Sequence, residues 1–270
     1  MITPLLSLLV WLASRVPIPV ASVWARGVAL IWWYILPFRK ALAVSNVRRA
    51  FPEFTHGQIR RTLLDMMYNI TLSYVELLVF ERTRVRLPVE GSSQVPPGSL
   101  VVAAHAGAWD IGLLSLAAEI PLATFLRTPK NVWVRDRMAA IRQNHGLMGL
   151  ETGTTLADGY AALESGRSLM FIQDQRHNNG ILSPFFGHPC KTSPGLGVVH
   201  LKTGRPVYAC WQVRLGPGKH RFWCVPMPLH APTGDRTADV QAITDACNAY
   251  YASKIREFPS GWLWLHDRWR

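Results

Sequence analysis

One short segment of the chain carries residues of the type and spacing that chemistry needs. In Ala103-Ala104-His105-Ala106-Gly107-Ala108-Trp109-Asp110 a histidine precedes an aspartate by five residues. An imidazole titrates near neutrality and serves there as base or acid. A carboxylate that accepts a hydrogen bond from one ring nitrogen fixes the tautomer and leaves the other nitrogen to take a proton. This is the logic of a Ser-His-Asp triad with a substrate hydroxyl in place of the serine. His105 is therefore the candidate general base and Asp110 the candidate orienting carboxylate. Five positions do not share one helical face, so the pair needs a turn between them, and Gly107 lets the backbone make it. Taken alone, His-x4-Asp arises often by chance, and the surrounding elements must carry the assignment.

Those elements form a strand, a turn and a helix. After the turn-forming Val95-Pro96-Pro97-Gly98, residues Ser99 to Ala104 read as a buried strand, and Ile111 to Ala118 as the helix beyond the pair. Sites gather at the carboxyl ends of strands in such arrangements. Further strands are expected at 122–126, 168–173, 206–214 and 220–227, and helices at 134–145, 155–165 and 238–256. Residues 41–80 also read as helical, with Ile59, Leu63, Met66, Met67, Ile70, Tyr74, Leu77 and Leu78 at helical spacing, a core face rather than a lipid contact. Thr55 and Gln58 have the spacing of a capping box at the start of that stretch. The alternation predicts an α/β fold: a single domain over residues 39–270, its mostly buried mixed sheet flanked by helices. No internal repeat or second domain is visible.

Residues 1–38 differ in character. They are mostly apolar, are interrupted by Arg15 and Arg26, and are punctuated by Pro17, Pro19 and Pro37. No uncharged apolar run of about 18–20 residues exists, and a signal peptide fits poorly. Two helices separated at Pro17-Ile18-Pro19 are expected, forming a membrane-associated segment with Trp24, Trp32, Trp33 and Tyr34 as interfacial anchors. A single span and a monotopic attachment both remain open, as does a hairpin buried on the domain. Arg39, Lys40, Arg48, Arg49, Arg60 and Arg61 follow, and the net charge is +12 with 11 Trp in 270 residues. Such a balance favours anionic partners, a lipid surface foremost, on the cytoplasmic side. The aromatic residues lie in apolar runs, not in a base-stacking pattern, so nucleic acid is not expected. Cys190, Cys210, Cys224 and Cys247 form no C-x-x-C pair. Neither a metal site nor a disulfide framework is expected, and scattered cysteines suit a reducing compartment.

The motifs, taken in order, resemble the bacterial lipid A biosynthesis acyltransferases, within the wider lysophospholipid and glycerolipid acyltransferase superfamily. The resemblance runs through Ser45-Asn46-Val47-Arg48-Arg49-Ala50-Phe51-Pro52, the turn at 103–110 and Arg142-Gln143-Asn144-His145-Gly146. It continues with Phe171-Ile172-Gln173-Asp174-Gln175, Pro184-Phe185-Phe186-Gly187 and Thr203-Gly204-Arg205-Pro206-Val207. It closes with Trp262-Leu263-Trp264-Leu265-His266-Asp267-Arg268-Trp269. The family has Glu in many members where this chain has Asp110.

The resemblance implies an acyltransferase of the inner membrane's cytoplasmic face, moving a fatty acyl chain from acyl carrier protein or coenzyme A to a hydroxyl of a membrane glycolipid, a lipid A precursor first. It implies no cofactor beyond that thioester co-substrate. Arg142 is expected to bind a phosphate, Asp174 and Gln175 to position Arg142 or the acceptor, and Arg127 with Lys130 to extend a basic mouth. Phe185, Phe186 and Gly187 are expected to shape the pocket. His177 and His188 would contact phosphates or nothing, and His145, His200 and His266 would be structural. A phospholipid, an aminolipid or a phosphatidylinositol mannoside as acceptor, or a catalytically silent lipid-binding homologue, remain alternatives.

Overall fold

The computed structural model describes residues 2–83, 89–90, 95–127, 131–151 and 153–270. Four helices come first: α1 (Ile2–Ala13), α2 (Ile18–Tyr34), α3 (Lys40–Ala50) and α4 (His56–Thr83). The break between α1 and α2 falls at Pro17, as the prolines predict, because Pro cannot donate into a continuing helix. The expected capping box starts α4: the Thr55 N–H donates to Gln58 Oε1 at 2.8 Å, and the Gln58 N–H to Thr55 Oγ1 at 3.3 Å.

The sheet follows. Strand β1 (Val89–Glu90) is short; β2 (Leu100–Ala103), β3 (Leu122–Phe125), β4 (Leu147–Leu150), β5 (Ser168–Ile172) and β8 (Val207–Gly216) run parallel in the order β8-β2-β5-β3-β4. β9 (Lys219–Pro226) returns antiparallel beside β8, and β1 pairs parallel with β9, so the sheet is mixed, as expected. A separate hairpin joins β6 (Ile181–Phe185) to β7 (His188–Thr192). Helices α5 (Trp109–Ala117) and α6 (Val132–Asn144) cover one face; α7 (Leu156–Glu164), α8 (Gly195–Thr203) and α9 (Arg236–Glu257) cover the other. Strand β2 shows why its residues are apolar throughout. Leu100 and Val102 pack towards α8 and α9, Val101 towards α5, and all three are fully buried.

α4 is the one helix among the described residues long and apolar enough to cross a membrane by length and composition. Its packing makes it a core helix. Ile59, Leu63, Met66, Leu72 and Leu77 are buried, and Glu76 pairs with the Arg214 guanidinium and, at 3.0 Å, with His220 Nε2. Of the predicted stripe only Tyr74 is exposed. A buried carboxylate tied to two sheet residues ties the helix to the sheet, with its charge matched and hydrogen-bonded.

The cysteine reading needs one correction. Cys210 and Cys224 are register partners on β8 and β9, their Cα atoms 4.2 Å apart, and form a disulfide. The pairing depends on the β8–β9 register, which residue spacing does not reveal. Cys190 and Cys247 are buried free thiols.

Candidate active site

Parallel pairing decides which groups meet. β2 and β5 are neighbours in register, Ala103 opposite Ile172. The chain leaves both strands at the same level, and two residues further on stand His105 and Asp174. Asp174 Oδ1 lies 2.9 Å from His105 Nδ1, and Asp174 Oδ2 accepts the His105 backbone N–H at 3.0 Å. A third donor, the Trp262 indole N–H, reaches Asp174 Oδ2 at 2.7 Å. Asp174 is 2% exposed and Trp262 1%, whereas the His105 side chain keeps 22%. An ionised Asp174 accepts only, so His105 carries its proton on Nδ1 and leaves Nε2 as a free acceptor.

The electrostatics follow from this geometry. Burial disfavours the His105 imidazolium, but the charge of Asp174 and its hydrogen bond, with the charge of Asp110 behind them, raise the pKa above its ordinary value. Burial likewise disfavours the Asp174 carboxylate. The His105 charge and ring hydrogen bond, the Trp262 N–H and the His105 N–H outweigh it and hold the carboxyl below its usual range. His266 is pushed down by burial, and its Nε2 accepts the Arg176 backbone N–H at 2.9 Å, which requires a neutral ring.

The hydrogen bond expected from Asp110 is thus made by Asp174, and two sequence assignments change. Asp110 opens α5 in its first turn, where the helix dipole favours a carboxylate. Its carboxyl is raised above the ordinary value by burial, with Arg142 and His105 acting against the rise. It acts on His105 through space. Asp174 is buried and holds the histidine, not Arg142. Arg142, near the end of α6, is half-buried beside Asp110, and its Nε is enclosed without a hydrogen-bond partner.

The remaining candidates disperse. Gln175 contributes its backbone carbonyl to Arg268 at 3.3 Å. Arg127 is exposed just beyond β3, and Lys130 lies outside the described residues. Phe185 and Phe186 are buried against Trp262, Trp264 and Trp269. They prop the indole that holds Asp174. His200 Nδ1 meets the Arg205 carbonyl at 2.8 Å and His145 stacks on Phe80, so both are structural, as expected. His177 and His188 are exposed.

The closing block supplies residues that the dyad reading missed. Leu263 N–H donates to the His105 carbonyl at 3.2 Å, and Gly107 N–H to the Gly261 carbonyl at 2.8 Å. Asn46 Nδ2 holds the carbonyls of Trp264 and His266 at 2.9 and 2.8 Å. Arg268, fully buried, bonds Lys191 O, Thr192 Oγ1 and Asn248 Oδ1. The signal was present as a dense Trp-x-Trp-x-His run, but nothing local said that it lies beneath the histidine.

No curated protein matches the chain. The model of one family does, over residues 2–270, and its description is bacterial lipid A biosynthesis acyltransferase. That match takes in the strand-end histidine, the aspartate beneath it and the closing tryptophan segment together, and the chain belongs to this family of acyltransferases.

Proposed function

We propose that the chain transfers a fatty acyl group from an acyl thioester, carried by acyl carrier protein or coenzyme A, to a hydroxyl of a lipid A precursor. It does so at the cytoplasmic face of the bacterial inner membrane. The observation that carries this reading is His105 itself: Nδ1 committed to a buried carboxylate, the ring partly open to solvent. His105 Nε2 takes the proton of the acceptor hydroxyl as the oxygen attacks the thioester carbonyl. The carbon–sulfur bond breaks, the ester forms, and the departing thiolate recovers the proton from the imidazolium. Asp174 balances the imidazolium while it exists. The first backbone N–H groups of α5 are suitably polarised for the oxyanion. Arg142, with its unpaired Nε, is the candidate for an anionic group of donor or acceptor.

A membrane substrate agrees with the outer surface. Thirteen of the twenty exposed large apolar side chains among the described residues lie between Leu8 and Phe38. α2 buries Ala21, Ser22, Ala25, Ala29 and a single large residue, Trp32, and turns Val23, Trp24, Ile31 and Tyr34 outward. Small residues inside and large ones outside invert the pattern of a water-facing helix. The basic residues that follow suit anionic headgroups and an acidic carrier.

Mass spectrometry of membrane lipids tests the proposal, comparing cells that express the wild type with cells that express His105→Ala. A lipid A species heavier by one acyl chain is expected only with the wild type. Near wild-type acylation by His105→Ala would remove the base from the mechanism. Acylation of a different lipid would replace the acceptor.

A further inference from the structure

Beside the turn that carries His105 lies a small cavity of about 20 Å³, walled by Ala104, Ala106, Trp109, Leu113, Ile172 and Gln212 among others. That is room for one water-sized group. Trp109 is the wall shared with the base, its ring meeting the His105 ring edge-on at 5.5 Å between centroids. The lining is apolar with one carboxamide. Gln212, on β8, is 2% exposed, and both Nε2 and Oε1 are enclosed with no hydrogen-bond partner. Leaving such a group unpaired is destabilising, so a buried carboxamide calls for a partner.

The turn is shaped around this side chain. Gly107 has φ +58°, and a Cβ there would lie 2.9 Å from the Gln212 carbonyl oxygen and 3.3 Å from its Cγ. At Gly112, one helical turn later, a Cβ would lie 2.5 Å from Gln212 Oε1 and 2.5 Å from Phe222. Both glycines of the His-Ala-Gly-Ala-Trp-Asp-Ile-Gly run thus give way to Gln212. Without them α5 could not close on β8 and the carboxamide could not sit beneath the catalytic turn.

We propose that Gln212 is a substrate-binding residue whose carboxamide receives a single hydrogen-bonding oxygen of the acyl donor in this cavity. The inference rests on the acyl-transfer reading above. Two oxygens have the required chemistry: the thioester carbonyl, and a hydroxyl borne by the acyl chain near it. Both present an acceptor to Nε2, and the second also donates to Oε1.

The test compares wild type, Gln212→Met and Gln212→Asn. Met keeps the volume and removes the polarity; Asn keeps the carboxamide and withdraws it by one methylene. Each enzyme is assayed with a saturated acyl thioester and its hydroxylated analogue of equal length. Both variants are expected to lose about tenfold or more in kcat/KM. Equal loss on both thioesters identifies the carbonyl oxygen, and loss confined to the hydroxylated one identifies the chain hydroxyl. Gln212→Met is further expected to unfold at the same or a higher temperature than wild type, because it removes an unpartnered buried amide. A purely structural role would instead lower it. Unchanged kcat/KM on both thioesters in both variants overturns the proposal. If the wild type transfers neither chain, the acyl-transfer reading fails and this one falls with it.

Discussion

A general base needs one nitrogen committed and the other free, and the carboxylate that commits it also sets the pH range in which it works. In the proposed mechanism His105 is that base and Asp174 the carboxylate, with three donors converging on its two oxygens. Asp174→Asn is therefore expected to lower kcat by about 10²–10⁴, the scale of losing the orienting carboxylate of a triad. The pH profile gives an independent check. Asp174 and, less directly, Asp110 raise the His105 pKa, so the acidic limb of kcat/KM should lie above the ordinary imidazole value of about 6.5. Activity is present where the ring is neutral and falls as pH drops through that raised pKa. Removing the Asp174 charge moves the limb to lower pH; Asp110→Asn, which removes only a more distant charge, moves it less and keeps kcat within about tenfold. A large loss in Asp110→Asn beside a mild one in Asp174→Asn would reverse the assignment. The sequence exposed His105 through its place after a buried strand. It could not expose Asp174 as its partner, because the contact depends on β2 and β5 being neighbours, with three helices and two strands between them in the chain.

The same limit operates among elements. Strands β2, β3, β5, β8 and β9 were legible from apolar runs, and α4 from its periodicity and capping box. β4, β6, β7 and α8 were not, the hairpin because Gly180, Pro184, Gly187 and Pro189 read as loop. In the hairpin, Phe185 pairs with His188 around the two-residue turn Phe186-Gly187, so Pro184 and Pro189 face each other at the next pair, where an N–H is not required. Phe186 and Gly187 both have positive φ, 53° and 77°, the pattern of a type I′ turn. Phenylalanine is costly there, by roughly 1–2 kcal/mol, and its ring is buried in compensation against Phe51 and Trp264. The hairpin and the closing segment then act as one support for Trp262. Trp262→Phe keeps most of the packing and deletes the N–H to Asp174. It is expected to lower kcat about tenfold while leaving KM for the acceptor unchanged, a hydrogen bond to a charged group being worth about 1.5–3 kcal/mol. Steady-state kinetics on membranes would show it; an altered KM with unchanged kcat would place Trp262 at the acceptor instead.

For the whole molecule, the large apolar side chains are exposed mainly between Leu8 and Phe38, and in the proposed function that face brings the site to its lipid. α2 rests on α4 through alanines and a serine, Ser22 Oγ lying 2.9 Å from the Tyr68 hydroxyl, and, Trp32 apart, leaves Val23, Trp24, Val28, Leu30 and Ile31 on its exposed side. Val23, Trp24 and Ile31 are 68%, 60% and 46% exposed. Of the aromatic residues that the sequence offered as interfacial anchors, Trp24 and Tyr34 are exposed, whereas Trp32 is buried in the core and Trp33 packs against it, because which side of the helix faces outward is decided only once α2 is packed on α4. The basic residues that follow, Arg39 and Arg48 to Arg49 among them, add attraction to anionic headgroups that salt screens, whereas apolar insertion is not screened. Wild-type protein is therefore expected to float with phosphatidylglycerol-containing vesicles at both low and high salt, and less completely with neutral vesicles. Burying a large apolar side chain contributes about 1.5–3 kcal/mol. Val23→Ser, Trp24→Ser and Ile31→Ser together should then weaken partitioning by roughly three decades or more. What binding remains should be more sensitive to salt than that of the wild type, while transfer to a detergent-dispersed acceptor should persist because none of the three touches His105. If the triple variant floats as the wild type does, this face is not the membrane contact, and the buried aspartate and its histidine must meet their lipid from another side.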